Sequence, residues 1–314
     1  MVYQGTTMPI GSYKEAKGEI GYGMTNDYMF RAVLQKNTKV LKGLICSLLH
    51  MNEEEVHTVQ ITNPIELGDD IDDKTFVLDI KIILNDSAII NLEMQMQNER
   101  NWEERSLSYL CRSFDQLYAG QEYVEAKPAV HIGFLNFTPF QDAPEFYATY
   151  QMLNVKNHRC YSDKFILSVI DLTRIELATE DDKESQLDYW ARFITATSCE
   201  ELKMIAEKNP NMTEATQTLY EMNADAITQE KCRARREYYR RQNTMNRDME
   251  RLKNEIDRME RIKETLETEK EVLETEKEAL ETEKEALETE NATLESKNAT
   301  LESKNASLKE ENEK

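Results

Sequence analysis

The stretch that most constrains this chain is Thr75–Gln97, TFVLDIKIILNDSAIINLEMQMQ. Two apolar runs rich in β-branched and aliphatic residues flank the turn cluster Asn85-Asp86-Ser87, the pattern of a β-hairpin. Side chains alternate along a strand, so Thr75, Val77, Asp79, Lys81 and Ile83 share one face of the first run. Ile89, Asn91, Glu93, Gln95 and Gln97 share one face of the second. With the turn centred on Asp86, paired residue numbers sum to 172 and Asp79 falls opposite Glu93. Paired Cβ atoms in an antiparallel ladder stand about 5 Å apart.

Two carboxylates that close repel, and one then holds a proton unless a cation lies between them. Oxygen ligands at that spacing suit a hard divalent cation such as Mg²⁺ or Mn²⁺. The plainer reading is a sheet face turned to water. A one-residue slip would undo the Asp79–Glu93 pairing.

Asp79, thirteen intervening residues, and then Glu93-Met94-Gln95 resemble the D…(D/E)-x-K core of the PD-(D/E)XK nuclease superfamily in its E-x-Q form. The wider context resembles the Rpn family of recombination-promoting nucleases, also labelled transposases. It consists of TNDYMFRAVL (Thr25–Leu34), NPIEL (Asn63–Leu67), VLDIKI (Val77–Ile82), NLEMQ (Asn91–Gln95), ERSLSYLCRSFDQLYAGQEY (Glu104–Tyr123) and KPAVHIGFLNF (Lys127–Phe137). The resemblance covers roughly residues 20–240. It implies an α/β fold, a restriction-endonuclease-like mixed sheet flanked by helices. It also implies Mg²⁺- or Mn²⁺-dependent DNA hydrolysis, with Asp79 and Glu93 as metal ligands and Gln95 orienting water or metal. Gln95 stands where the superfamily often has Lys, which stabilises the attacking hydroxide or the transition-state charge. Lys81, on the face of Asp79, is a candidate to supply that charge.

The formal charge of −21 is awkward for a DNA-binding protein, whose phosphate contacts need a basic surface. The tail from Arg251 holds 12 Lys/Arg and 20 Asp/Glu, so −13 remains on the preceding residues. A local basic patch can still serve within an acidic whole. Five scattered cysteines without C-x-x-C spacing predict a reducing cytoplasm, and four histidines without ligand spacing read as structural or surface residues. No apolar run approaches 18 residues, so no membrane is expected.

Residues 1–22 read as an irregular lead-in and 23–180 as the nuclease domain. Thr25 or Asn26 can cap a helix starting near Asp27, and Lys39–His50 has helical spacing. In the superfamily the first helix often donates an acid, a role open to Asp27. The alternative is an ordinary first-turn aspartate beside the helix dipole. Val56–Ile61 reads as a strand. The acidic stretch Glu66–Asp73 reads as a solvated loop or a contributor to the metal. Trp102–Tyr118 reads as a helix with Arg105, Tyr109 and Arg112 on one face and Gly120 as its C-cap. Arg105 and Arg112 suit phosphate contact or pairing with a nearby acid. Ala129–Phe137, Phe146–Leu153 and Lys164–Leu172 read as strands.

From Glu184 the period turns helical, which predicts a helical extension over 181–245. Its basic cluster includes Lys231, Arg233, Arg235, Arg236, Arg240 and Arg241, interleaved with Tyr238 and Tyr239. It reads as a DNA-backbone grip, through Arg235 and Arg236, or as a solvated neck.

Residues 246–314 repeat every seven. Leu or Met recurs at 252, 259, 266, 273, 280, 287, 294, 301 and 308, as heptad d positions. The a positions are Ile256, then Lys263, Lys270, Lys277 and Lys284, then Asn291, Asn298 and Asn305. This predicts a long coiled coil joining a homodimer. In a parallel pair Glu269, Glu276 and Glu283 would face Glu274, Glu281 and Glu288. A basic hetero-partner or an isolated helix therefore stays open.

Three functions follow. The first is a metal-dependent DNA endonuclease promoting recombination. The second is a catalytically inactive nuclease-fold scaffold that binds DNA or protein. The third is a cytotoxic or defence nuclease held inactive until triggered.

Overall fold

The computed structural model describes residues 12–63, 79–117 and 120–312. The acidic stretch 66–73, the first part of the 75–84 strand and Tyr118 of the expected 102–118 helix lie outside the described residues. Among the described residues the α-helices and β-strands are α1 (Asp27–Lys36), α2 (Thr38–Leu49), β1 (Val59–Ile61), β2 (Ile80–Leu84), β3 (Ala88–Gln95), α3 (Trp102–Phe114), β4 (Ala129–Leu135), β5 (Tyr147–Leu153), β6 (Cys160–Asp171), α4 (Glu180–Glu184), α5 (Leu187–Thr195), α6 (Cys199–Ala206), α7 (Pro210–Ala224) and α8 (Ala226–Asn312). Among the described residues no helix is long and apolar enough to cross a membrane.

The six strands form one mixed sheet in the order β1-β2-β3-β4-β6-β5. β3, β4 and β6 run parallel, while β1, β2 and β5 pair antiparallel to their neighbours. The β2–β3 register runs from Ile80↔Leu92 to Leu84↔Ala88, so the pairs sum to 172 as the alternation predicts. Asn85 and Asp86 make the turn at φ +49° and +55°, a left-handed conformation that Asn and Asp tolerate better than other side chains. The Asn85 side chain also accepts from His57 and Thr58 N–H and donates to the Glu55 carbonyl, tying the turn to the lead-in of β1. That lead-in carries a 3₁₀ turn at Glu53–Glu55, so the strand expected from Val56 begins only at Val59.

The two faces of the sheet carry different chemistry. Ile80, Ile82, Ile90, Leu92, Met94, Val130, Ile132 and Phe134 join the main core with residues of α1, α2, α5, α6 and α7. The helical segment after Glu184 thus shares this core instead of building one of its own, and a single compact unit extends to Tyr239. The opposite face lies under α3, the crossover that a parallel β3–β4 pair requires. α3 ends at Phe114 with Asp115 as C-cap, so Gly120 does not cap it. Gly133 is the reason α3 can sit so close. A Cβ there would come within 2.1 Å of the Trp102 ring.

Residues 240–314 form a second unit. Its described part is helical throughout and belongs to α8, 87 residues long.

Candidate functional site

Alternation on β3 sends Asn91, Glu93 and Gln95 to the α3 face, where all three are buried. The β2–β3 register, continued by one residue, brings Asp79 opposite Glu93. Asp79 stands just before β2, and its main chain is clamped. Its carbonyl accepts from Nη1 of Arg31 on α1 and from Nδ2 of Asn63, while Asn63 Oδ1 accepts the next strand N–H, that of Lys81.

Asn91 Oδ1 is shielded from solvent here without a hydrogen-bond partner, and so are three oxygens that bear on the site: Asp79 Oδ1, Glu93 Oε2 and Gln95 Oε1. Burying an acceptor this way costs about 1–3 kcal/mol each unless something else meets it. All three belong to the residues that the sequence reading assigns to metal and water. Among the described residues, no group of three or more His, Cys, Asp and Glu gathers as a metal cluster. The donor set is two carboxylates and an amide oxygen, which is hard-cation chemistry.

The cation nearest Glu93 comes from α3. Arg105 Nε donates to Glu93 Oε1 at 2.6 Å, and Arg105 Nη1 lies 3.7 Å from Glu99. Lys81 pairs across the ladder with Asn91 and is half-buried, near enough to Asp79 to favour its charged form. Arg112, in the last turn of α3, is exposed.

Burial pushes the carboxyl groups of Asp79 and Glu93 above the usual carboxylate range. For Asp79 a hydrogen bond with its own backbone, Arg31, Arg105 and Lys81 oppose that rise without cancelling it. For Glu93 the opposition comes from Arg105. Burial works against the charge of Arg105, yet Glu93 more than offsets it and the net shift is upward.

His131 is the residue that sequence reasoning missed. It is fully buried on β4, beside Asn91 in the parallel register. Asn91 Nδ2 lies 3.0 Å from His131 Nδ1 and can only donate, so the ring proton sits on Nε2. That nitrogen lies 3.5 Å from Glu93 Oε2. Burial, with Arg105 nearby, drives the His131 pKa down to about 3, so the ring is neutral. Trp102 and Tyr109 of α3 pack on it, with centroids at 5.7 and 5.8 Å. The only signal in the sequence is a lone polar residue inside an apolar run, the pattern of a core histidine.

The basic cluster is put to another use. Arg235 Nε donates to buried Asp27 Oδ2 at 2.6 Å, and Tyr239 Oη donates to the same oxygen at 2.6 Å. Arg235 also lies over the Tyr238 and Tyr239 rings. A buried carboxylate needs a partner, and Arg235 is the partner of Asp27. Arg236 is exposed and rests on the Tyr22 ring at 4.8 Å.

The family model of the PD-(D/E)XK nuclease family transposase matches residues 24–248. The six-stranded mixed sheet with flanking helices is consistent with a restriction-endonuclease-like fold. No curated protein and no solved structure matches the chain.

Proposed function

The chain belongs to the PD-(D/E)XK nuclease family transposases, and from that premise we propose that it is a divalent-metal-dependent DNA endonuclease whose cuts promote recombination. The observation that carries the proposal is the trio of shielded, unpartnered oxygens on Asp79, Glu93 and Gln95.

In this reading Asp79 and Glu93 hold Mg²⁺ or Mn²⁺. Such an ion, when bound, lowers the pKa of an attacking water and offsets charge on the leaving oxygen. Gln95 orients that water through its amide oxygen. Asn63 and Arg31 fix the backbone that presents Asp79. His131 stands with Nε2 3.5 Å from the second oxygen of Glu93, packed beside it without a hydrogen bond. Arg105 takes the place of the motif's missing Lys, with its guanidinium on the phosphate of the scissile bond. Lys81 is the second candidate for that charge, and the 2.6 Å approach of Arg105 to Glu93 favours Arg105. Arg112 and Arg236 contact flanking phosphates. We place the activity in the cytoplasm, where the five cysteines stay thiols.

One observation favours the scaffold reading instead. Arg105 already satisfies Glu93 Oε1 without a metal ion. Calorimetric titration with Mn²⁺ separates the two. The nuclease reading expects binding that is lost in both Asp79→Ala and Glu93→Ala. The scaffold reading expects none in the parent chain.

A further inference from the structure

The α8 helix leaves a long apolar stripe open. The d-position residues from Leu252 to Leu301 are 49–65% exposed, as are Met245 and Met249. The charges along this stripe are not uniform, and their pattern selects an occupant.

Between Lys263 and Glu290 lie 12 Glu and 4 Lys, a net −8 over four heptads. Each of those lysines sits at an a position and pairs with the Glu four residues on in its own helix: Lys263–Glu267, Lys270–Glu274, Lys277–Glu281 and Lys284–Glu288, at 3.7–3.8 Å. These exposed pairs offset the acidic charge only in part, and the block keeps its net −8. In a parallel second copy Glu269, Glu276 and Glu283 at g would still face Glu274, Glu281 and Glu288 at e. In an antiparallel copy e faces e and g faces g, which again sets Glu against Glu. This block repels its own copy in either orientation.

The two flanks differ. From Asn291 to Ser307 there are 2 Glu and 2 Lys, a net charge of zero. Lys297 at g would meet Glu302 at e of the second copy. Asn291, Asn298 and Asn305 at a would meet themselves, an arrangement that holds two parallel strands in register. In an antiparallel pair these amides would face apolar side chains, leaving buried polar groups unmatched. On the near side Met245, Leu252 and Met259 at d alternate with Met249 and Ile256 at a, an apolar seam. There Asp248 at g would meet Lys253 at e, and Glu255 at g would meet Glu260 at e, one acidic pair against the three of the block.

We propose that the tail pairs with a second copy of this chain, parallel and in register, through two seams over 245–262 and 291–307. The acidic block 263–290 between them stays apart at low salt. The block spans roughly 42 Å at 1.5 Å per residue. A dimer joined this way carries two candidate sites per particle. The inference rests on the tail alone, so it stands or falls separately from the nuclease reading.

Sedimentation of the full chain tests the pairing. A dimer is expected, and it is lost in the double variant Leu294→Glu/Leu301→Glu. Oxidative cross-linking, mapped by peptide identification, tests its geometry. Asn298→Cys links to its own copy at low salt, while Lys277→Cys links poorly. At 1 M salt, where screening acts beyond about 3 Å, Lys277→Cys links as well as Asn298→Cys. A monomer at tens of micromolar, a dimer in which Asn298→Cys fails to link, or equal linking at both positions at low salt would each overturn the proposal.

Discussion

Asn91 donates through Nδ2 to Nδ1 of His131 across the β3–β4 pair, 3.0 Å away. This contact decides that the imidazole presents an N–H to Glu93 rather than a lone pair. The candidate site is thus flanked by a neutral ring that bears no charge to compete with a metal ion. His131→Phe removes the N–H and keeps the ring. The expected result is a 10- to 100-fold loss of Mn²⁺ affinity, about what second-shell partners of metal ligands contribute, read by calorimetry on folded protein.

The same ring limits stability in acid. Its pKa falls to about 3 in the folded chain, against an unfolded value near 6.5. A depressed folded value means stability present above 6.5 and lost as pH falls toward 3. Urea melts across that range should show a loss that is reduced in His131→Phe.

Asp79 and Glu93 work in the opposite sense. Their folded pKa values are raised by burial. Stability from their protonated forms is present below the usual carboxylate range and is lost as pH rises through the raised values. The metal-free chain should therefore lose stability as pH rises from about 4, and Asp79→Asn should lessen the loss. Added Mg²⁺ should restore stability at neutral pH in the parent chain only, by RT ln(1 + [L]/Kd). Thermal melts with Mg²⁺ or EDTA check this.

Arg105 is expected to act on the phosphate rather than hold the metal. Arg105→Ala should lower DNA cleavage by about 10²- to 10³-fold, the loss seen when one preorganised donor is removed. Mn²⁺ affinity should not fall, because Glu93 Oε1 loses a competitor. Parallel cleavage and calorimetry distinguish this from a structural role, which would reduce both.

Gly133 and Asp27 are structural controls. Gly133→Ala drives a methyl into the Trp102 ring and should cost about 1–3 kcal/mol together with cleavage, since α3 also carries Arg105. Asp27→Ala strands Arg235, whose side chain is only 16% exposed, and should cost about 3–5 kcal/mol while metal affinity at low temperature is retained. Loss of metal binding in folded Asp27→Ala would return Asp27 to the metal site.

Much of this was legible in the chain because it is local. Period-2 alternation around Asn85-Asp86-Ser87 gives the 172 register, and the Asn26 cap marks the start of α1. What was not legible depends on long-range contacts. Asn63 reaches Asp79 over 16 residues of sequence, and Arg235 reaches Asp27 over more than 200. His131 reads as core because it is core, and only the neighbouring strand turns it toward Glu93. The end of α3 was missed because its apolar spacing runs past Phe114, where the helix stops without a glycine.

The central claim is metal-dependent hydrolysis at Asp79 and Glu93. Nicking of supercoiled plasmid by the purified chain with Mg²⁺, Mn²⁺ or EDTA, beside Asp79→Ala and Glu93→Ala, tests it most directly. The account predicts cleavage with either metal, none with EDTA and none in either variant. Cleavage that persists in the variants, or none from the parent chain with either metal, would contradict it.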